Sequence, residues 1–388
     1  MKVLMLSKDP AIFFESSEKY IGDSRSRHIF YSERLRERFP GSEIKIITYT
    51  PRKDHSIKSF PADGLVIYGT NSIHRAFFLI DVLRLLPRAL SSGWRPDVIT
   101  VQTPWEEGLL GLLLSRILCT KFVPQLHFNF LSEDWCAENP LNLFRRKIAF
   151  FVLKHSTRVR VVSQELKKRL IKLQLLNSDD VIVAPVGVSF RVTGENKNDL
   201  KVRIASNLKN KKIILFVGRF CDQKNLELWV DLAKKISEIR QDVMFVMAGD
   251  GEKTAQIKSL VRDFGISNRF IFLGNVLHTD LPSIYGAADI FLLTSHYEGF
   301  GRVVLEAMLS GLPVVSTRSV GPEDLIKDKK TGFLFDKNEK AEMLECLLSL
   351  LGDEATSKKI GVMAKKAVSI QFSRRSLAER VIDSWVKD

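Results

Sequence analysis

The stretch Ala288-Asp289-Ile290-Phe291-Leu292-Leu293-Thr294-Ser295-His296-Tyr297-Glu298-Gly299-Phe300-Gly301-Arg302-Val303-Val304-Leu305-Glu306-Ala307 decides the fold. Its opening run, Ala288 to Thr294, reads as a short buried strand, and Gly299-Phe300-Gly301 as a turn that opens an apolar helix. Beyond it, Pro313-Val314-Val315-Ser316-Thr317 reads as the next strand. The glycines therefore sit where a parallel strand hands over to a helix. Free backbone N–H groups and the positive end of the helix dipole can hold a phosphate there. Two carboxylates, Glu298 and Glu306, flank the turn eight positions apart. Phosphate beside hydroxyl-binding carboxylates suggests a nucleotide sugar.

Outward from this stretch, β-rich runs alternate with helical ones through both halves of the chain, the pattern of doubly wound α/β domains. The first half has expected strands at Val3–Leu6, Ile44–Thr48, Gly64–Tyr68, Val98–Val101, Lys121–Leu126, Arg158–Val162 and Val181–Val183. The second has them at Ile213–Val217, Met244–Ala248, Phe270–Leu273, Ile290–Leu293, Val314–Thr317 and Phe333–Phe335. Between Phe190 and Asn210 the chain turns polar and reads as a linker. This predicts a first domain over residues 1–190 and a second over 205–372. Leu377, Val381 and Trp385 recur at helical spacing, so a C-terminal helix over about 373–388 should bury one side, against the first domain.

With 388 residues the chain is long enough for two cores. No apolar run reaches the roughly 18 residues of a spanning helix, and Met1 to Asp9 is a poor signal peptide. Cys119, Cys136, Cys221 and Cys346 lack metal-ligand spacing and read as reduced cysteines of a cytoplasmic protein. The net charge of +14 is heavier in the first half, where residues 1–187 carry 28 basic and 19 acidic side chains. No helix-turn-helix, zinc-ligand or Arg/Gly-rich pattern supports nucleic acid, so no nucleic-acid partner is expected. An anionic membrane surface is the favoured partner for the excess. Arg75–Trp94 (with Phe77, Phe78, Arg84, Arg88 and Trp94) and Leu141–Lys154 (with Phe144, Arg145, Arg146, Lys147, Phe150 and Phe151) combine aromatics with basic residues, as interfacial helices do.

Further places fall at strand ends. Gly218-Arg219 and Lys224 follow the strand Ile213–Val217 and could stabilise charge developing on a diphosphate leaving group. His127 follows Lys121–Leu126. The loop Gly22-Asp23-Ser24-Arg25-Ser26-Arg27-His28 precedes an expected helix at Ile29–Arg38. Asp250-Gly251-Glu252 reads as a turn into a helix and not as a metal motif.

Gly218-Arg219 with Lys224, Ala248-Gly249-Asp250-Gly251, Phe272-Leu273-Gly274-Asn275-Val276, Glu298-Gly299-Phe300-Gly301 through Glu306-Ala307, and Gly311-Leu312-Pro313-Val314-Val315 occur in one order. As a set they resemble the family-four retaining glycosyltransferases of GT-B fold, two Rossmann-like domains facing across a cleft. The resemblance covers nearly all of the second domain and is weaker in the first. It implies that Arg219 and Lys224 grip a donor diphosphate, UDP or GDP type, and that Glu306 accepts the ribose hydroxyls. It also implies that Glu298 meets the donor sugar, and that backbone N–H groups of Gly299, Phe300 and Gly301 meet diphosphate and sugar. Asn275 and Val276 match the loop beside the nucleobase, and His127 a histidine that reaches over the donor sugar.

The acceptor side departs from the family. Gly22-Asp23-Ser24-Arg25 stands where a glycine pair is usual, and Gln102 where many relatives carry His. Asp23, Arg25, Arg27 and Gln102 are the acceptor candidates. No cofactor and no metal are expected, because an Arg/Lys pair can balance diphosphate charge. The expected activity is retaining transfer to a lipid-linked or cell-surface glycan at the inner membrane face. A soluble sugar or sugar-phosphate acceptor is the first alternative. A nucleotide-sugar epimerase, a silent binding module and a nucleic-acid binder are the others.

Overall fold

Short apolar strands joined through helices pair in parallel and are covered on both faces. The structure, a computed structural model, describes residues 1–14, 23–51, 57–188 and 194–386. Gly22, Phe190 to Thr193 and the last two residues of the expected C-terminal helix lie outside the described residues. The chain divides into two compact units, residues 1–187 with 374–388, and residues 188–373.

The strands of unit 1 are β1 (Lys2–Ser7), β2 (Glu43–Thr48), β3 (Ile57–Phe60), β4 (Leu65–Gly69), β5 (Val98–Val101), β6 (Lys121–Leu126), β7 (Val159–Val161) and β8 (Val181–Val183). Their order is β3-β4-β2-β1-β5-β6-β7-β8, parallel throughout except for the edge strand β3. The helices here are α1 (Ser24–Arg38), α2 (Phe78–Ala89), α3 (Glu106–Leu118), α4 (Glu133–Glu138), α5 (Pro140–Lys154) and α6 (Gln164–Lys172). In unit 2 the strands β9 (Lys212–Val217), β10 (Val243–Ala248), β11 (Phe270–Gly274), β12 (Ile290–Leu293), β13 (Val314–Thr317) and β14 (Phe333–Phe335) run parallel in the order β11-β10-β9-β12-β13-β14. Around this sheet lie α7 (Lys197–Ile204), α8 (Leu226–Ile239), α9 (Thr254–Asp263), α10 (Leu281–Ala287), α11 (Arg302–Leu309), α12 (Val320–Leu325), α13 (Lys340–Gly352) and α14 (Glu354–Ser369). The final helix, α15 (Arg374–Val386), returns to unit 1.

The period-two alternation of a strand sends neighbouring residues to opposite faces. On one face of unit 1, Val3, Met5, Ile44 and Ile46 pack with Tyr31 and Leu35 of α1 and with Ala378, Val381, Ile382 and Trp385 of α15. On the other, Leu4, Leu6, Ile47 and Ile99 pack under α2, α3 and α5 through Phe78, Val82, Leu110, Leu114 and Val152. In unit 2, Trp229 of α8 meets the rings of Phe216, Phe245 and Phe270 edge-on. Its indole N–H donates to the Leu292 carbonyl at 3.1 Å, which satisfies the one polar atom of a fully buried ring.

Four expectations are corrected. Helix α1 begins at Ser24 and not Ile29, so Arg25 and Arg27 stand in its first turns and not on a loop. The polar segment after residue 193 contains α7, which belongs to unit 2. Leu200 of α7 is buried, and Lys197 and Lys201 each pair with Asp289 at 2.9 Å. Strand β3 was not expected; its alternating exposed pattern is that of an edge. Of the aromatics expected at a membrane, Phe78 and Trp94 are core residues, and the Trp94 indole N–H donates to Glu43.

Trp385 is 2% exposed in the unit 1 core. Trp385→Ala should cost about 3–5 kcal/mol, read as an earlier urea transition of unit 1 with that of unit 2 unmoved. A loss below about 1 kcal/mol would show that α15 does not share that core.

Candidate functional site

In unit 2, β9 lies between β10 and β12, where the strand order reverses. The connections after β9 and β12 leave toward opposite faces, and their loops meet at the carboxyl end of the sheet. The two loops are stitched together. The Thr294 hydroxyl donates to the carbonyls of Lys224 (3.0 Å) and Asn225 (2.9 Å), and His296 N donates to the Gln223 carbonyl at 2.8 Å. The Gln223 amide returns a bond to the Tyr297 carbonyl at 2.9 Å. This backbone frame brings the Lys224 ammonium to 2.5 Å from Glu298 Oε1, which also accepts from the Ser295 hydroxyl at 2.8 Å. The pair is largely buried, with side chains 12% and 9% exposed. Arg219, on the same β9 loop, is exposed.

Gly301 stands at φ +76°, a left-handed conformation that lets the loop turn into α11. One turn into that helix, Glu306 is buried. Its carboxylate accepts from the Tyr285 hydroxyl at 3.0 Å, and His278 Nε2 and Arg302 Nη2 stand 3.5 and 3.9 Å away. Burial, and then the Glu306 charge, push the Tyr285 phenol well above its ordinary range, so it remains a donor to the carboxylate. The loop after β10 is pressed against the β9 loop: at Gly249 (φ +135°) a Cβ would lie 1.9 Å from the Gly218 carbonyl oxygen. Asn275 and Val276 follow β11, with Asn275 exposed. Gly249 N donates to the Gly274 carbonyl at 2.7 Å, so three successive loop ends are in register.

Unit 1 has its own reversal, between β1 and β5. A pocket of about 270 Å³ opens there, lined by residues after β1 and β5 (Asp9, Gln102, Thr103), on α1 (Arg27, His28, Tyr31) and on or after β6 and β7 (Gln125, His127, Arg160). Gln125 Oε1 accepts from Arg160 Nη1 at 2.6 Å and lies 3.1 Å from His127 Nε2. A carbonyl oxygen only accepts, so Nε2 carries the imidazole proton and Nδ1 is the acceptor nitrogen. Burial first, then Arg160, Arg27 and His28, hold His127 well below the ordinary histidine range. His28 is drawn down to about 4, by burial and then Arg27. Both rings are neutral near pH 7.

The structure therefore brings Lys224, Glu298 and the Gly299–Gly301 turn together in unit 2, with Gly218, Arg219 and Glu306 on the same loops and helix. It brings His127, Arg27 and Gln102 together in unit 1. Gln102 accepts from the Ser7 hydroxyl at 2.5 Å. Arg25 faces away from that pocket: it is buried and donates to the Ile12 and Phe13 carbonyls, fixing the turn after β1. Asp23 pairs with Arg27 at 2.6 Å. The sequence reading overlooked Tyr285, Ser295, Tyr31 and Arg160. For Arg160 the signal was present, since a charge inside Val159-Arg160-Val161-Val162 must have a special surrounding. The hydroxyl donors carried no such mark.

Comparison with known proteins places both units in a family. Residues 198–367 match the glycosyl transferases group 1 family and residues 31–191 match glycosyltransferase family 4. An uncharacterized glycosyltransferase of Methanocaldococcus jannaschii is 30% identical over 287 residues, 72% of this chain and 73% of its own length. The UDP-Gal:alpha-D-GlcNAc-diphosphoundecaprenol alpha-1,3-galactosyltransferase of Escherichia coli is 29% identical over 281 residues, 71% of each chain. HepE of Anabaena, solved with UDP and glucose, superposes with a TM-score of 0.76 at 19% identity over 99% of both chains and shows the same two-domain GT-B fold. The chain belongs to the group 1, family-four glycosyltransferases.

Proposed function

We propose that the protein moves a sugar, with retention of anomeric configuration, from a nucleotide diphosphate sugar of UDP or GDP type to a hydroxyl of a lipid-linked or cell-surface glycan precursor. The observation that carries this reading is the Lys224–Glu298 pair beside the glycine turn, with Glu306 one helical turn on. Lys224 and Arg219 receive the diphosphate, Glu306 takes the ribose hydroxyls, and Glu298 orients both Lys224 and the transferred sugar. The N–H groups of Gly299, Phe300 and Gly301 meet diphosphate and sugar, and Asn275 and Val276 flank the base. His127 offers Nδ1 to a hydroxyl of the donor sugar. In the transfer, the acceptor oxygen bonds to the anomeric carbon as the bond to the diphosphate oxygen breaks. The acceptor proton passes to the departing phosphate, whose negative charge Arg219 and Lys224 stabilise. On this reading the two cations do the work of a metal, and the protein carries no cofactor.

The acceptor assignment draws on the Escherichia coli relative, whose name gives a diphosphoundecaprenol acceptor, and on the surface of unit 1. No helix among the described residues is long and apolar enough to cross a membrane. The outer stripes of three neighbouring helices are nonetheless apolar: Phe77, Ile80 and Leu83 at α2, Leu109, Leu113 and Ile117 on α3, Phe144 and Phe151 on α5. Arg84, Arg88, Arg116 and Lys147 are exposed among them. Basic residues interleaved with apolar ones complement an anionic phospholipid surface, here the inner membrane face. Arg145 and Arg146 are half-buried and paired with Glu106 (2.8 Å) and Glu133 (3.1 Å), whereas Arg84, paired with Asp81 at 2.9 Å, is 75% exposed, so the lipid contact falls to Arg84, Arg88, Arg116 and Lys147.

Thermal-shift titration with UDP, GDP and ADP should show stabilisation by UDP or GDP, since a ligand of the native state raises its stability. Glu306→Ala should weaken that nucleotide at least tenfold; an unchanged response would refute the donor site. NMR of the product should show the anomeric configuration of the donor, and inversion would refute the mechanism. Replacing Arg84, Arg88, Arg116 and Lys147 by Gln should cut binding to phosphatidylglycerol vesicles by about 1 kcal/mol per residue. Equal vesicle binding, with full activity on a soluble acceptor, would refute the membrane reading.

A further inference from the structure

The unit 1 pocket contains a buried charge that the donor chemistry does not use. Arg160 is 3% exposed in the middle of β7. Its guanidinium donates to the Ala184 carbonyl (2.9 Å), the Pro185 carbonyl (3.3 Å) and Gln125 Oε1 (2.6 Å), all neutral oxygens. Burial acts most strongly on its charge, followed by Tyr31, whose phenol oxygen also hydrogen-bonds it, and Arg27, a like charge. Among the described residues this buried cation meets only neutral oxygens and no counter-ion, which such burial normally requires.

A second observation points the same way. Tyr31 is 3% exposed and lines the pocket; its hydroxyl oxygen faces the Arg160 guanidinium, and its proton finds no acceptor among the described residues. Arg27, 11% exposed, lines the same pocket and holds Asp23 and Ser24 with its two terminal nitrogens. Among the described residues, the one carboxylate on the lining is Asp9. Its two oxygens already accept from Ala11 N (3.0 Å) and the Ser24 hydroxyl (2.7 Å), which ties it to the start of α1. His28 and His127, neutral as described above, can each gain a proton when negative charge arrives.

We propose that this pocket is a phosphate subsite, seating a phosphate ester of the acceptor against Arg160, Arg27 and the Tyr31 hydroxyl. The phosphate supplies a counter-ion and an acceptor for the Tyr31 hydroxyl proton, and two guanidiniums suit its several oxygens better than a carboxylate's two. The inference rests on the reading of unit 1 as the acceptor half. It replaces Arg25 with Arg160 and narrows the acceptor to one that carries phosphate, whether on a lipid or on a soluble sugar.

The test uses the full chain carrying Arg219→Ala and Lys224→Ala, which removes the cations assigned to the donor diphosphate. Sodium phosphate, against sodium chloride of equal ionic strength, should raise the melting temperature saturably. Added to that chain, Tyr31→Phe and Arg27→Gln should each weaken phosphate about tenfold, with the Tyr31→Phe chain melting in chloride close to its parent. The His28 imidazole, followed by NMR, should titrate near 4 without phosphate and higher with it. Glucose 6-phosphate and dihexanoyl phosphatidic acid form the source arms, and the tighter one identifies a soluble or a lipid acceptor. Absence of saturable stabilisation by all three, or unchanged phosphate affinity in both variants, overturns the subsite. UDP binding to Tyr31→Phe with Arg219 and Lys224 restored separates the two readings, because its loss would implicate the donor assignment instead.

Discussion

The reversal of strand order beside β9 is the constraint on which the donor-type geometry depends. Neighbouring parallel strands whose crossovers go to opposite faces must leave a gap between their carboxyl-end loops. In unit 2 that gap is closed by backbone-directed bonds from Thr294, His296 and Gln223. A lysine and a glutamate 74 positions apart in the chain are thereby held as one group. Lys224 and Glu298 follow different strands, and neither loop alone could set their distance. The same topology, repeated between β1 and β5, places the unit 1 pocket.

Much of this was legible in the sequence, for a definite reason. Strands such as Lys121–Leu126 and Ile290–Leu293 are continuous apolar runs because both their faces are covered, and such runs stand out against polar connections. Glu298 and Glu306 were legible because the glycines between them leave few other readings. Arg25 and Arg27 were not separable by composition. Two positions apart on a helix, one turns under the chain toward the Ile12 and Phe13 carbonyls while the other lines a pocket. Helix α7 was hidden because a polar segment anchored by Lys197 and Lys201 on Asp289 carries little apolar periodicity. The partners of Glu306 were hidden because Tyr285 and His278 belong to a different strand-to-strand connection from the helix that bears it.

Charge burial distinguishes the two units. In unit 2 the buried charges are matched internally, Lys224 by Glu298, while Glu306 has the Tyr285 hydroxyl and nearby His278 and Arg302. In unit 1 the Arg160 guanidinium meets only neutral oxygens among the described residues, and the adjacent imidazoles are held neutral by burial and by the guanidiniums themselves.

The return of α15 to unit 1 has a consequence for how the chain is made. Residues 188–373 form one uninterrupted segment, whereas the core around Val3 and Ile44 lacks Val381, Ile382 and Trp385 until the last helix emerges. Synthesis from the N-terminus thus delivers every part of the second unit before the first can close. The half of the protein that is translated earliest is the last to complete its core, and until then an apolar face of its sheet and of α1 waits for its cover.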